Sequence, residues 1–481
     1  MANRSKVYRS HVPRLLRLVP APLLARAAGL SGLEARALKA DDRLMPPLRL
    51  LVGLCLLLRR PPTQIVTLAE ECSLRDVAPA WFRNGVGRAK VAVCGMGNLG
   101  HALAGVLAAR ADVAVRLLVS TEQRAESVRA GIAAERGIRV KQDGRPDIVA
   151  RPEFVTHIVD VAVRDADLVV LCVPVQVHGE RLRAIVPAMQ PGAYLTAIPA
   201  AGGFNWKAEA VLRETARDVR IFGVGGIPWM CKLQGPGTVR ISNAKSINAF
   251  QPLRAADAAF VADVMAVLLG MPMIEMASFL NVTLAPSNQL LHPGILYSLF
   301  KDWHGTPMAE APLFYEGLSV EGAQILQAMS DELVLVARRL RDQVPAYWMS
   351  PVATLHMGIR VGYHGQIGDP STLRSAIVTN DAYRGVRTPV LPVPGGFVPN
   401  FGSRFLTEDV PHGMAIVKGI AEIVGISTPM HDRVMTWCQQ KMGKEYLVEG
   451  RLRGRDVSET SAPQVFGITD AHALVASCVP S

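Results

Sequence analysis

Lys90-Val91-Ala92-Val93-Cys94-Gly95-Met96-Gly97-Asn98-Leu99-Gly100-His101-Ala102 is the stretch that decides the fold. A short apolar run enters three glycines and leaves as a helical pattern that continues to Ala109. In the order strand, turn, helix, a GxGxxG has a mechanical meaning. Gly95 makes the tight turn, Gly97 lets a pyrophosphate approach the backbone, and Gly100 lets helix and strand pack closely. Asn98 opens the helix, where the unpaired N–H groups of the first turn favour phosphate. A chance glycine turn is the bland alternative, and the surrounding pattern argues against it.

The next apolar run, 112–119, ends about twenty positions beyond the glycines, where dinucleotide folds place the residue that reads the adenosine ribose. An acid there selects NAD. Here Ser120-Thr121-Glu122-Gln123-Arg124 offers two hydroxyls and a guanidinium suited to a 2′-phosphate. NADP is the expected cofactor, and NAD the alternative if Glu122 takes the ribose and Arg124 is simply solvated. Further apolar runs at 168–173, 193–198 and 219–224 suit a parallel sheet covered on both faces. The fold class is therefore α/β. A Rossmann-type dinucleotide-binding domain is expected over 90–278, followed by an all-helical substrate domain over 279–481.

The 481 residues allow two or three domains and carry a formal net charge of +11. Residues 1–60 hold 12 Lys and Arg against 3 acids, Glu34, Asp41 and Asp42, so most of the excess precedes the first strand. A nucleic-acid partner is not expected, because phosphate neutralisation needs basic residues on the folded body. The seven cysteines form no CxxC pair, which points to a reducing compartment and to no metal site. The Leu50–Leu58 run is far short of the ~20 residues of a membrane span. Residues 1–89, Arg-rich and acid-poor up to the Arg59-Arg60-Pro61-Pro62 break, read as a separate basic extension. An organelle transit peptide, a disordered arm and untranslated upstream sequence are its three readings. The expected location is the cytoplasm, or an organelle if the transit reading holds.

In the second half, Leu326, Met329, Leu333, Val336 and Leu340 step by three and four, and Ile416, Val417, Ile420, Ile423 and Val424 repeat the stripe. These are core faces of helices. Two segments carry chemistry instead. His292 stands just before Pro293-Gly294, and histidine is the side chain best placed to move protons near neutral pH. Downstream, Arg404 and Asp409 precede an apolar helix. A carboxylate on an imidazole fixes its tautomer and stabilises the imidazolium, and an arginine grips a carboxylate with two parallel hydrogen bonds. The bland readings are a core histidine and an Asp409 that caps the following helix.

Along nearly all of residues 90–470 the chain resembles the opine dehydrogenases, most closely the octopine dehydrogenase type of marine invertebrates. The ordered segments that carry the resemblance are Gly95 to Ala102, Gly202-Gly203-Phe204-Asn205-Trp206, Ile227-Pro228-Trp229-Met230-Cys231-Lys232, His292-Pro293-Gly294, Phe314-Tyr315-Glu316-Gly317, Thr407-Glu408-Asp409-Val410-Pro411 and Lys444-Glu445-Tyr446-Leu447. The resemblance implies a reductive condensation. The amino group of an amino acid adds to a 2-oxo acid such as pyruvate, water leaves, and NAD(P)H delivers hydride to the imine carbon. It implies that His292 is the acid–base group, that Asp409 orients it, and that Arg404 holds a substrate carboxylate. The chain departs from the family pattern at Ser120-Thr121, where NADH users have an acid, and at Ala201, where a Gln is usual. From Phe222 to Lys232 there is no acid, so arginine is not the expected amine. A small neutral amino acid or taurine suits this stretch at least as well, with Cys231 a candidate substrate-side contact rather than a nucleophile. The competing readings are a two-domain dehydrogenase of a 2-hydroxy acid or phosphorylated alcohol, and a non-catalytic NADP-binding redox sensor.

Overall fold

A computed structural model describes residues 72–82, 87–245, 247–285, 288–345 and 352–479, with parts of 7–68. Most of the Leu50–Leu58 run and the whole Arg59–Pro62 break lie outside the described residues. The chain divides into two compact units, one of 1–200 with 204–282, the other of 201–203 with 283–479.

The first unit is built on an eight-stranded sheet with the order Met273–Glu275, Asn248–Pro252, Arg220–Val224, Tyr194–Ala197, Leu168–Leu171, Ala89–Cys94, Val113–Leu118, Phe154–Thr156. Neighbours run parallel except Arg220–Val224 with Asn248–Pro252. The five strands expected from apolar runs are present within two residues of their expected limits. Val91 and Val93 are fully buried, and a buried valine contributes about 1.5–3 kcal/mol.

A second sheet, absent from the sequence reading, has the order Trp229–Gly235, Thr238–Ala244, Ile138–Gln142, Ile148–Ala150. It explains why the Asn98–Ala108 helix is buried along most of its length. A Cβ on Gly105 would lie 2.4 Å from the Val140 side chain. His101, fully buried on that helix, bonds the Gly97 carbonyl through Nδ1 at 3.0 Å and accepts from the Gly237 N–H through Nε2 at 3.4 Å. Burial lowers its pKa, so it is a neutral structural histidine.

Two boundaries differ from the expected ones. A separate extension over 1–89 and a domain limit at 278 were expected. In the structure Leu74, Val77, Ala78 and Phe82 are buried, the Leu74–Val77 helix packs on Ala258–Leu269, and the Trp81 ring stands 5.6 Å from Phe260. The folded chain therefore begins ahead of Lys90, because these apolar side chains find a surface that no periodic pattern in the sequence announces. The limit between the units falls at 282.

In the second unit Asn288–Phe300 packs against Val320–Gln343 and Pro429–Met442, and Val320–Gln343 also packs against Ala415–Val424. The stripe residues Leu326, Met329, Leu333, Val336 and Leu340 are all buried. The unit is helical but not wholly so. Short hairpins join Val390–Val393 to Gly396–Pro399 and Leu447–Val448 to Arg451–Leu452. Where Asn288–Phe300 crosses Val320–Gln343 the contact is close, since a Cβ on Gly294 would lie 2.6 Å from Leu326.

Candidate active site

His292 lies inside the Asn288–Phe300 helix, so Pro293-Gly294 does not end that helix. The proline ring cannot donate to the carbonyl four residues back, which loosens the turn that carries the histidine. Opposite it, Asp409 sits at the start of a single wide turn, Val410–Met414, in which the Met414 N–H reaches back to the Asp409 carbonyl at 2.9 Å. Pro411 removes another donor in that turn. Gly413 lets it approach closely, because a Cβ there would lie 2.4 Å from Gln289. Such wide turns are rare and occur disproportionately at functional sites.

The Asp409 carboxylate makes no helix-capping bond. It accepts instead from His292 Nδ1–H at 2.7 Å, across 117 residues of chain. Because Nδ1 is the donor, the neutral ring has its lone pair on Nε2, which accepts from the Tyr315 hydroxyl at 3.2 Å. The imidazole is stacked on Phe405, ring centroids 3.8 Å apart and planes within 10°, with Phe314 edge-on at 5.7 Å. His292 is 7% exposed. Its plane, tautomer and protonation partner are all fixed before any ligand arrives.

Arg404 opens the short Arg404–Thr407 helix, and its guanidinium is 65% exposed and held by Glu408 at 2.6 Å. The structure thus joins His292 with Asp409 and places Arg404 on Glu408. The sequence reading missed Tyr315, Phe314 and Phe405 as site residues. Phe314-Tyr315-Glu316-Gly317 stood among the segments of resemblance, yet nothing in spacing tied it to His292.

In the first unit, Gly95 has φ +99°, and a Cβ there would lie 2.6 Å from the Cys172 carbonyl oxygen. A Cβ on Gly100 would overlap the Gly95 carbonyl, whereas one on Gly97 meets open space. Gly97 caps the Asn98–Ala108 helix with no side-chain hydrogen bond to the first turn. Open space above Gly97 and uncapped N–H groups below it fit a diphosphate. Asn98 Oδ1 is already used, accepting from the Leu233 N–H at 2.9 Å.

At the end of Val113–Leu118, Ser120 and Thr121 are exposed, and Thr121 caps the Glu122–Ala134 helix by accepting from the Arg124 N–H. The Arg124 guanidinium donates to the Met96 carbonyl at 3.2 Å, which brings it to the glycine turn. Glu122 is engaged with Arg129, and with His157 at 2.6 Å, and these hydrogen bonds hold its carboxyl below the usual range. Burial pushes the Cys231 thiol up to about 12, so it is no thiolate at neutral pH. Beside the Phe222–Lys232 stretch, a Cβ on Gly226 would lie 2.4 Å from the Lys245 amine, and burial lowers the pKa of that amine to about 8. Among the described residues no group of three His, Cys, Asp or Glu could hold a metal, and no helix is long and apolar enough to cross a membrane.

Residues 275–442 match the family described as NAD/NADP octopine/nopaline dehydrogenase, alpha-helical domain, and residues 91–252 match ketopantoate reductase PanE/ApbA. Octopine dehydrogenase of Mizuhopecten yessoensis is 34% identical over 394 residues, covering 80% of this chain and 98% of that protein. Tauropine dehydrogenase of Arabella iricolor is 32% identical over 393 residues, covering 80% and 99%. A solved octopine dehydrogenase with NADH and L-arginine superposes with a TM-score of 0.72 at 33% identity, covering 80% of this chain and 98% of that one.

Proposed function

Since this chain belongs to the octopine and opine dehydrogenase family, we propose that it joins the amino group of a small neutral amino acid or taurine to a 2-oxo acid such as pyruvate, with NADPH as the preferred reductant. It is an NAD(P)-dependent oxidoreductase acting on CH–NH groups. When bound, the nicotinamide supplies hydride for the imine carbon. Gly95, Gly97 and Gly100 with the first turn of the Asn98 helix would hold the diphosphate. Ser120, Thr121 and Arg124 would take the 2′-phosphate.

The observation that carries this reading is the His292–Asp409 hydrogen bond of 2.7 Å in an aromatic clamp. Dehydration of a carbinolamine needs a proton on the departing oxygen, and an imidazolium on His292 is its source. The Asp409 carboxylate, 17% exposed, stabilises that charge and fixes the ring so that Nε2 faces the chemistry. Arg404 exchanges Glu408 for a substrate carboxylate, trading one charge-assisted pair for another. The lack of an acid across Phe222–Lys232, together with the Lys245 amine against Gly226, disfavours a guanidinium-bearing amine. Cys231 contributes contact through a protonated thiol.

The test is oxidation of NADPH by pyruvate with and without a panel of amino acids, with the product identified by mass. Turnover is expected to require an amine, and to be greater with alanine, glycine or taurine than with arginine. Turnover indifferent to the amine would establish a plain 2-oxo acid reductase instead.

A further inference from the structure

The two nitrogens of His292 are held by unlike groups. Asp409 accepts from Nδ1–H, which favours the charged ring, while Tyr315 donates to the bare Nε2, which favours the neutral one. The Tyr315 side chain is buried, stacked on Tyr383 with ring centroids 4.1 Å apart and planes within 16°, and crossed by Phe314 at 4.8 Å. Its ring is therefore fixed, and only the hydroxyl hydrogen is free to turn. Burial first, and then the nearby Tyr363 and Asp409, push its pKa up, so the hydroxyl stays protonated through the working range.

Among the described residues the Tyr315 hydroxyl has one hydrogen-bond partner, His292 Nε2. When Nε2 gains a proton, two donors face each other. The hydroxyl must then turn and offer its oxygen to Nε2–H, and its own hydrogen, deprived of Nε2, carries the cost of a buried donor in want of an acceptor. A substrate oxygen beside Tyr315 removes that cost. Charge on His292 and a substrate oxygen at the hydroxyl are thus mutually favourable.

We propose that Tyr315 is a catalytic residue that relays the proton between His292 Nε2 and the reacting oxygen. The inference rests on the reading of His292 as the acid–base group of the condensation. In dehydration the carbinolamine C–O bond breaks and its electron pair goes to oxygen. That oxygen takes the Tyr315 hydroxyl proton and leaves as water, while the nitrogen lone pair closes the C=N bond. The Tyr315 oxygen takes the proton of Nε2–H, and His292 returns to the neutral ring. Tyrosine ends as it began.

Other titratable groups near the helix are paired elsewhere: Arg404 with Glu408, His412 with Ser461, and Glu332 with His431. Asp409 and Tyr315 are the ones bonded to the ring.

Tyr315→Phe in the full chain keeps the ring and its stacking and removes only the relay. The expected result is a fall in kcat of about 10²-fold or more, the scale of positioned proton transfer, with KM values little changed. Unchanged NADPH binding reports that the variant is folded. A kcat within about twofold of wild type, or a KM that rises while kcat holds, would overturn the relay. His292→Ala measured alongside separates the two ideas. If it retains turnover, the acid–base reading itself fails. If it is inactive while Tyr315→Phe is as fast as wild type, only the relay fails.

Discussion

Arg124 is tied down at both ends: its N–H donates to Thr121 Oγ1, and its guanidinium reaches the Met96 carbonyl in the glycine turn. That cation bridges the loop after Val113–Leu118 and the glycine turn, the position proposed above for a 2′-phosphate. Glu122, the residue that would take a ribose hydroxyl instead, is spent on Arg129 and His157. Arg124→Ala should therefore weaken NADPH by roughly 1–3 kcal/mol, the range for a lost charge-assisted contact, while leaving NADH nearly unchanged. Titrating both cofactors by fluorescence checks this, and an undiminished preference for NADPH would remove Arg124 from the site. At this scale the sequence was legible where chemistry coincides with local order. The glycines, Thr121, Arg124 and His292 stand in short segments whose types and spacing constrain each other. Tyr315 was not legible, because its partner is 23 positions away and its role depends on which imidazole nitrogen Asp409 occupies.

Among whole elements, Pro429–Met442 has no cap from its own Thr428. The Glu332 carboxylate, on a different helix, accepts from the Met430 and His431 N–H groups at 2.7 and 2.9 Å and from the His431 ring at 2.8 Å. Burial alone would raise the Glu332 pKa, but these bonds outweigh it and hold it below its ordinary 4.5. A group depressed in this way contributes stability that is present above the unfolded value and is lost as pH falls through the folded one. Glu332→Gln should cost about 1.5–3 kcal/mol at neutral pH, the range for hydrogen bonds to a charged group. The deficit should shrink as unfolding is measured at pH values progressively below 4.5. A pH-independent deficit would mean that Glu332 acts by shape alone. Five strands of the eight-stranded sheet were readable because each is a largely apolar run, whereas Phe154–Thr156, Asn248–Pro252 and Met273–Glu275 are short or polar and were not. Those of the second sheet were not, since Thr238–Ala244 pairs with Ile138–Gln142 about a hundred residues earlier. Their burial alternates or breaks, and the central one of the three pairings is distant in sequence. The Val410–Met414 turn was read only as the start of an apolar helix, because the sequence does not state which carbonyl an N–H will choose.

For the molecule as a whole, the +11 that suggests an acidic partner belongs mainly to residues 1–60, ahead of every strand that builds the dinucleotide fold. Where the first unit has a dense charge cluster, its charges pair with one another: Asp165 is bonded to Arg116 and Lys90, Arg116 also holds Glu153, and Asp165 stays ionised far below the usual carboxylate range. One further bond in the first unit has reach beyond its size. Asn98 belongs to the helix that leaves the glycine turn, yet its side chain holds the Leu233 N–H, in the strand that carries Cys231. A ligand that settles the glycine turn then settles the neighbouring strand, and the strand's own ligand returns the favour by an equal factor. Communication of this kind is a thermodynamic cycle that can be closed in the laboratory. NADPH affinity should rise when the amino substrate is present, by a factor within the roughly 5–150-fold range of such couplings, and Asn98→Ala should flatten the difference while the two separate affinities survive. If the variant keeps the full factor, information between the two ligands travels by another route. If it loses it, a single amide carries the coupling between the two ligands.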